Sequence, residues 1–162
     1  TKRSIRLTVS IWRIAVEAPS YPANDITGTG AKITGGRWNS PGTPMIYCSI
    51  NIALATLETL SYIRASTLPL NRFLVQIDIP KEIWNLRNEL NPLPGGWDAL
   101  PSGITSRKSG DQWITSMESP LLVVPSVIAP DEQNVLINPL HPNSTKIKAT
   151  TLKRWIFDPR FF

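Results

Sequence analysis

Residues 35–49 read GGRWNSPGTPMIYCS, and this stretch indicates how the first part of the chain folds. Its centre, NSPGTP, has the residue types of a turn, and MIYCS after it predicts a short strand. Arg37 stands beside Trp38. A solvated loop would not need an arginine next to a tryptophan, and a core strand would not carry an arginine at all. The stretch is therefore either a hairpin that only holds the fold together or the floor of a functional site.

Short strands predominate in the rest of the chain. Alternating residues predict strands at SIWRIAV (residues 10–16) and RFLVQIDIP (72–80), with one face of the second formed by Phe73, Val75, Ile77 and Ile79. Further strands are predicted at PLLVVPSVI, NVLINP and KIKATTLKRWIFD, a short helix at SGDQWITSME, and loops at YPANDITGTGAKITGG and LNPLPGGWDALPSG. Because strands outnumber helices and rarely alternate with them, we expect an α+β fold with a mixed or antiparallel sheet.

The clearest helix is INIALATLETLSYIRA (residues 50–65), which Ser49 can cap. Its predicted apolar stripe has the spacing i, i+3, i+4, i+7 and consists of Ile50, Ala53, Leu54 and Leu57. Glu58 shares a face with Leu54 and Tyr62, so it lies at the edge of that stripe. A carboxylate in that position is costly unless it has a partner or a function.

Length and composition predict a single domain over residues 1–162 of an ordinary globular protein, with 41% apolar residues. No apolar run approaches the ~18 residues of a membrane span, and the chain begins with a strand pattern, which predicts no signal peptide. Cys48 is the one cysteine, so it forms no intramolecular disulfide, and we expect it to pack as a small apolar residue. A cytoplasmic location is therefore predicted.

Several chemistries are excluded by residue type. One histidine and one cysteine cannot build an ordinary structural zinc site, so no metal is expected. A Ser-His-Asp hydrolase would depend on His141, which lies between prolines in a turn and is predicted to be structural. The glycine-rich residues 28–36 fit neither a P-loop nor a dinucleotide fingerprint. The net charge of +5 includes no basic run, which disfavours direct nucleic-acid binding.

Arg37, Tyr47 and Glu58 are the three residues whose side chains together suit a chemical function. A guanidinium can bind a phosphate, a tyrosine offers an aromatic face, and a carboxylate can stabilise a developing positive charge. These are the functions that cleavage of the nicotinamide–ribose bond of NAD requires, since the sugar becomes oxocarbenium-like. The simpler interpretation is a buried Arg37–Glu58 ion pair that joins hairpin to helix, and spacing alone favours it.

The segments GGRWNSPGTPMIYCS, ALATLE, GDQW, PLLVVPSVI, NVLINPLHP and FDPR resemble, in order and spacing, the RES domain. RES domains are the toxin half of bacterial RES–Xre toxin–antitoxin pairs. The resemblance covers essentially the whole chain and implies an ADP-ribosyltransferase-like fold. It also implies depletion of cellular NAD by hydrolysis or, with phosphate as acceptor, by phosphorolysis. NAD is then the substrate and no cofactor is needed.

The resemblance assigns roles to individual residues, and with it we expect the NSPGTP turn to place Arg37 and Tyr47 on neighbouring strands that face Glu58. Arg37 would contact the NAD phosphates or ribose, Tyr47 would stack on or orient the nicotinamide, and Glu58 would stabilise the oxocarbenium ion. Ser126 would hydrogen-bond the ribose or nicotinamide side. Further substrate-binding candidates are Arg13, Trp38, Trp113 and Asn138, although the residue types favour a core role for both tryptophans and the NPxHP context favours a loop-structure role for Asn138.

The partner implied by the resemblance is an Xre-like helix-turn-helix antitoxin that occludes the site, and a homodimer within that complex is left open. Among acceptors of ADP-ribose we rank water first, phosphate second and a protein third. Two other classes compete with this hypothesis. One is a small basic ribonuclease-type toxin, which the lack of a usable histidine disfavours, and the other is a binding module in which Arg37 and Glu58 are purely structural.

Overall fold

The computed structural model describes residues 7–63 and 70–162. Within them the strands are β1 Thr8–Val16, β2 Ile46–Ser49, β3 Arg72–Pro80, β4 Asn88–Glu89, β5 Leu121–Pro125, β6 Gln133–Ile137 and β7 Lys148–Arg154. The helices are α1 Thr29–Thr34, α2 Ile52–Tyr62, α3 Lys81–Trp84 and α4 Ile104–Ser116. Two 3-10 segments follow β6 and β7, at Pro142–Lys146 and Pro159–Phe161.

The seven strands form one sheet in the order β4-β5-β6-β2-β1-β3-β7. Its neighbours are antiparallel except β4 and β5, which are parallel, so the predicted α+β fold with a mixed sheet is confirmed. β1 pairs with β3 along its whole length, from Thr8↔Pro80 to Val16↔Arg72. Its register with β2 is a single residue pair, Trp12↔Ser49, so few backbone contacts join the two halves of the sheet.

One face of the sheet forms the largest core cluster. The predicted face of β3 is confirmed, because Val75, Ile77 and Ile79 are buried in this cluster and Phe73 packs against it. Cys48 from β2 belongs to the same cluster. Burial raises the pKa of its thiol to about 12, so the side chain stays protonated at neutral pH and packs as an apolar group, as predicted.

Helix α2 differs from its prediction at the start and in its buried face. Its N-cap is Asn51 rather than Ser49, because the Asn51 Oδ1 atom accepts a hydrogen bond of 2.7 Å from the Leu54 amide. Ala53 and Leu57, which belong to the predicted stripe, are exposed. The buried residues are Leu54, Ala55 and Thr59. The stripe prediction is confirmed for Leu54 and wrong for Ala53 and Leu57, because α2 packs on Ile14 of β1 and Leu74 of β3 through Ala55.

Other elements also depart from the sequence prediction, and α3 and β4 were not predicted at all. The predicted loop over residues 21–36 contains the six-residue helix α1, whose N-cap Gly28 is left-handed and makes no side-chain cap bond. A helix this short with no capping side chain has no start signal in the sequence. Helix α4 begins at Ile104, five residues before the predicted helix. No helix within residues 7–63 and 70–162 has the length and apolarity that a membrane crossing requires.

Candidate functional site

The Glu58 carboxylate is held from one side by two neutral donors. The Ser126 hydroxyl donates to Glu58 Oε1 at 2.5 Å, and the Asn134 side-chain amide donates to the same oxygen at 2.9 Å. Ser126 follows β5 and Asn134 lies on β6, so adjacent strands position the two donors. Within residues 7–63 and 70–162 no donor reaches Oε2, which leaves this oxygen available to a ligand.

Both donors are themselves held in place by further hydrogen bonds. The Ser49 hydroxyl donates to Asn134 Oδ1 at 2.7 Å, which orients the amide so that its NH₂ group faces Glu58. The Ser126 hydroxyl accepts a bond of 3.1 Å from the Ala129 amide, and Ser126 is fully buried. Since the one hydroxyl proton of Ser126 goes to Glu58, Ser126 acts here as a positioning residue for the carboxylate.

Arg37 lies in a tight turn, residues 36–39, that we call the Arg37 turn. An isolated bridge closes this turn, with the Gly36 amide donating to the Asn39 carbonyl at 3.0 Å. The expectation that Arg37 lies on a strand beside Tyr47 is therefore wrong. Its Nη1 donates to the carbonyls of Trp97 and Ala99, each at 2.8 Å, in a loop of residues 94–100 that we call the Trp97 loop.

Arg37 and Glu58 form no ion pair. In the described part of the chain, residues 7–63 and 70–162, the one salt bridge joins Arg160 to Asp158. The simpler interpretation, in which a buried Arg37–Glu58 pair holds hairpin to helix, is therefore contradicted. Carbonyl groups anchor the guanidinium and neutral donors hold the carboxylate, so neither group is paired with an opposite charge in the described residues.

Asn39 and Tyr47 hold the Arg37 turn in place through hydrogen bonds. Asn39 is fully buried, and its amide donates to the carbonyls of Ala31 at 2.8 Å and Thr43 at 2.9 Å. The Tyr47 hydroxyl donates to Asn39 Oδ1 at 2.6 Å and accepts from the Trp38 amide at 2.9 Å. Burial raises the pKa of Tyr47 well above its usual value, so the hydroxyl remains a donor. The Tyr47 hydroxyl therefore holds the turn together and is not free to bind a ligand.

Tyr47→Phe tests this role of the hydroxyl. The substitution leaves the Trp38 amide and Asn39 Oδ1 without their partner, and we expect it to lower the free energy of unfolding by about 2–3 kcal/mol. Urea denaturation would show a lower midpoint at unchanged m-value. Tyr21→Phe is the matched control, because the Tyr21 hydroxyl has no hydrogen-bond partner in residues 7–63 and 70–162. Equal midpoints for the two variants would contradict the role given to Tyr47.

Helix α4 is packed directly against the Arg37 turn. A Cβ atom on Gly110 would lie 1.6 Å from the Trp38 carbonyl oxygen, so only glycine permits this approach. The next residue, Asp111, accepts a bond of 2.9 Å from the Ser40 amide. On the other side of the turn, the Trp38 ring stacks on Trp97 with a centroid distance of 6.3 Å. The turn is thus held between α4 and the Trp97 loop.

The remaining candidates from the sequence have internal contacts. Trp38 and Trp113 are buried in the core cluster beneath α4, and Trp113 Nε1 donates to the Ser119 hydroxyl. Asn138 is fully buried, donates to the Ile114 carbonyl and accepts from the Leu140 amide. The structure gives these residues packing and loop-holding roles rather than a ligand-facing surface.

Arg13 and His141 also contact the chain's own backbone. Arg13 Nη1 donates to the Tyr47 carbonyl at 3.1 Å, close to the place where β1 and β2 stop pairing. No hydrogen bond or salt bridge joins Arg13 to Glu58 in the described residues. His141 Nδ1 accepts from the Asn143 amide at 3.1 Å, which confirms the structural role predicted for this histidine.

Tyr62 is a residue whose possible contribution the sequence reasoning missed. It follows Glu58 by one turn of α2, and its side chain is 69% exposed. Its pKa is raised by desolvation and by the Glu58 carboxylate, and the Arg37 guanidinium opposes this shift. Tyr62 therefore lies on the same side of α2 as Glu58, one helical turn away. Its i+4 spacing from Glu58 was the available signal.

The positioning residues Asn134, Ser49 and Asn39 were also missed. Asn134 had a detectable signal, because a polar residue on the same strand face as the buried Leu136 needs a hydrogen-bond partner. Among the described residues, the site offers a Glu58 oxygen that no donor reaches, the Arg37 guanidinium and the exposed Tyr62 ring. Such a site can bind an anionic ligand with an aromatic group and stabilise positive charge on it.

Known proteins are similar to this sequence over most of its length. A family model for the RES domain matches residues 10–158. The Prs ADP-ribosylating toxin of Sphingobium sp. (strain YBL2) is 49% identical over 95% of this chain and 97% of the relative. Proteins named Toxin Res from Photorhabdus laumondii and Yersinia enterocolitica are 36% and 37% identical, over 85% and 86% of this chain and 86% and 92% of the relatives. The chain therefore belongs to the RES domain family, and its relatives are named as toxins.

Proposed function

We propose that this chain is a toxin that cleaves the nicotinamide–ribose bond of NAD and transfers the ADP-ribose part to an acceptor. The observation that carries the proposal is the Glu58 carboxylate, which two neutral donors hold on Oε1 while Oε2 faces no donor in the described residues. A fixed carboxylate without a cationic partner is what a developing oxocarbenium ion requires.

The bond-breaking step needs no general acid. The C1′–N bond breaks with its electron pair moving to the pyridinium nitrogen, so cationic nicotinamide leaves as a neutral molecule. The positive charge passes to C1′ and the ring oxygen of the ribose, and the Glu58 carboxylate lowers the energy of that charge. A nucleophile then forms a bond to C1′ and loses its proton.

Arg37 and Tyr62 supply the binding contacts in this proposal. The two bonds from Arg37 Nη1 to the Trp97 loop fix the guanidinium, and its Nε and Nη2 groups have no partner within residues 7–63 and 70–162. These free donors suit the pyrophosphate of NAD. The exposed ring of Tyr62 provides an aromatic wall near Glu58, whereas the Tyr47 hydroxyl is already engaged in the turn.

The acceptor determines whether the toxin depletes NAD or modifies a protein. Water, phosphate and a protein side chain would each complete the reaction. The relative of 49% identity is named as an ADP-ribosylating toxin of Prs, which favours a protein acceptor, and Prs in particular, over water for this chain. An antitoxin of the Xre type is the partner we propose, and it would act by covering Glu58.

A nicotinamide-release assay tests the proposal. The purified chain is incubated with NAD alone, with NAD and phosphate, and with NAD and purified Prs, and nicotinamide is quantified by chromatography. NAD labelled in its adenylate part shows whether Prs becomes covalently modified. We expect nicotinamide release that depends on the acceptor, and no degradation of RNA added in parallel. Absence of nicotinamide in all three mixtures would refute the proposal, and RNA degradation would favour the ribonuclease alternative.

A further inference from the structure

Strand β7 forms one edge of the sheet. It pairs with β3 on one side, and no strand of residues 7–63 and 70–162 pairs with its other side. Its last four residues, Thr151–Arg154, are all exposed. The register with β3 is regular from Lys148 to Thr151 and shifts only between Thr151 and Lys153, so the regular part of the edge is residues 148–151. The outer edge therefore presents backbone N–H and C=O groups on which another extended segment can pair.

Exposed apolar side chains lie beside this edge, and we call them the C-terminal patch. The exposed fraction of these side chains is 73%, 47%, 82%, 57% and 53% for Leu70, Leu152, Ile156, Phe161 and Phe162. Next to them is a cavity of about 350 Å³, whose lining includes Leu70, Trp155, Ile156, Phe157 and Phe162. A cluster of large exposed apolar residues around a cavity is typical of a surface that another molecule covers.

Much of the positive charge of the chain lies in the same region, and the rest of the excess is in residues 1–6, which contain three basic residues and no acidic one. Residues 146–162 contain five basic residues and one acidic residue. Residues 7–145 contain nine basic and eleven acidic residues, so the larger part of the protein is slightly acidic. The one acid of the C-terminal stretch, Asp158, is already paired with Arg160 at 2.7 Å. The exposed Lys148, Lys153 and Arg154 therefore remain available to an anionic partner.

We propose that the outer edge of β7 and the C-terminal patch bind an acidic, extended polypeptide segment of another protein as an added strand. The backbone of the segment pairs with β7, its apolar side chains cover Ile156 and enter the cavity, and its carboxylates meet the lysines of β7. This is β-strand addition, in which main-chain bonds give affinity and side-chain pockets give specificity.

Two other occupants fit the surface less well. A second copy of this chain would bring the same basic residues together, and like charges across an interface oppose association. A nucleic acid would match the charge, but it makes no use of an unpaired strand edge or of exposed Ile156 and Phe161. A polypeptide with acidic and apolar residues uses all three features.

The test measures binding of a fluorescein-labelled ten-residue peptide of alternating glutamate and valine, by fluorescence anisotropy. We expect saturable binding that weakens at least tenfold in Ile156→Asp and in the double variant Lys148→Glu, Lys153→Glu. Hydrogen exchange of the β7 amides is expected to slow when the peptide is bound. The matched control is Ile104→Asp, an exposed position on α4 that should leave binding unchanged.

Three further probes test which kind of molecule the surface binds and whether backbone pairing is needed. A lysine–valine peptide should not bind, and the glutamate–valine peptide with methylated backbone nitrogens should bind at least tenfold more weakly. Equal binding of any of these peptides, or unchanged binding to Ile156→Asp, overturns the proposal. Tighter binding of a labelled twelve-base-pair DNA duplex than of the acidic peptide overturns it as well. Nicotinamide release by Ile156→Asp should equal that of the wild type, so this test and that of NAD cleavage fail independently.

Discussion

Glu58→Gln is expected to lower kcat/KM for nicotinamide release from NAD by about 10²–10³-fold, with little change in Tm. A glutamine oxygen can still accept the bonds from Ser126 and Asn134, so the packing of α2 on the sheet is retained. What disappears is the negative charge opposite the oxocarbenium ion. The variant therefore separates the charge of Glu58 from its structural contacts, which an alanine substitution does not.

The comparison requires kinetics and stability on the same samples. Nicotinamide release is measured over a range of NAD concentrations, and thermal unfolding is followed by circular dichroism. Glu82→Gln on α3 is the matched control, because Glu82 is exposed and makes no hydrogen bond through its side chain in the described residues. Wild-type activity of Glu58→Gln would remove the carboxylate from the mechanism. A large fall in Tm together with the lost activity would assign Glu58 to the fold instead.

Gly110→Ala is expected to destabilise the protein by about 3 kcal/mol or more, which lowers Tm by roughly 10 °C. Alanine favours a helix over glycine by about 1 kcal/mol, but a Cβ atom 1.6 Å from the Trp38 oxygen cannot be accommodated without separating α4 from the Arg37 turn. The free-energy cost of this clash exceeds the gain in helix propensity. Because the same turn carries Arg37, we also expect NAD cleavage to fall.

Gly103→Ala provides the matched control on the same helix. Gly103 is the N-cap of α4, and nothing lies within 4 Å of a Cβ atom built on it. Its φ of −91° is accessible to alanine, so the expected change is below about 1 kcal/mol. Thermal and urea denaturation of both variants test the contrast. Similar stability of Gly110→Ala and Gly103→Ala would mean that α4 does not need its close approach to Trp38.

Local patterns predicted the strands better than the helices. The alternation in residues 72–80 is enough to define β3 and its core face, because a strand buried on one side repeats every two residues. In α2 the apolar residues extend beyond the buried face, so Ala53 and Leu57 were assigned to a stripe that the sheet does not cover. Which side of a broadly apolar helix is buried depends on where the sheet lies, and that is a tertiary property.

For the site, the sequence identified the charged residues but not what holds them. Glu58 was expected at the edge of the buried face and is half-buried there. Its donors Ser126 and Asn134 lie 68 and 76 residues further along the chain. Arg37 is anchored by carbonyls 60 and 62 residues away. No periodicity reports contacts over such separations, so an ion pair between the two charged side chains was the simpler, and incorrect, interpretation.

The anchors of Arg37 have a consequence for variation in the Trp97 loop. They are main-chain oxygens of Trp97 and Ala99, and every amino acid carries the same carbonyl. Exposed side chains such as those of Asp98 and Ala99 can therefore change without altering what the guanidinium contacts. An insertion or deletion between residues 94 and 100 would displace both oxygens at once. In this loop, length is under constraint and Trp97 is held by its stacking on Trp38, whereas the exposed side chains are free to drift.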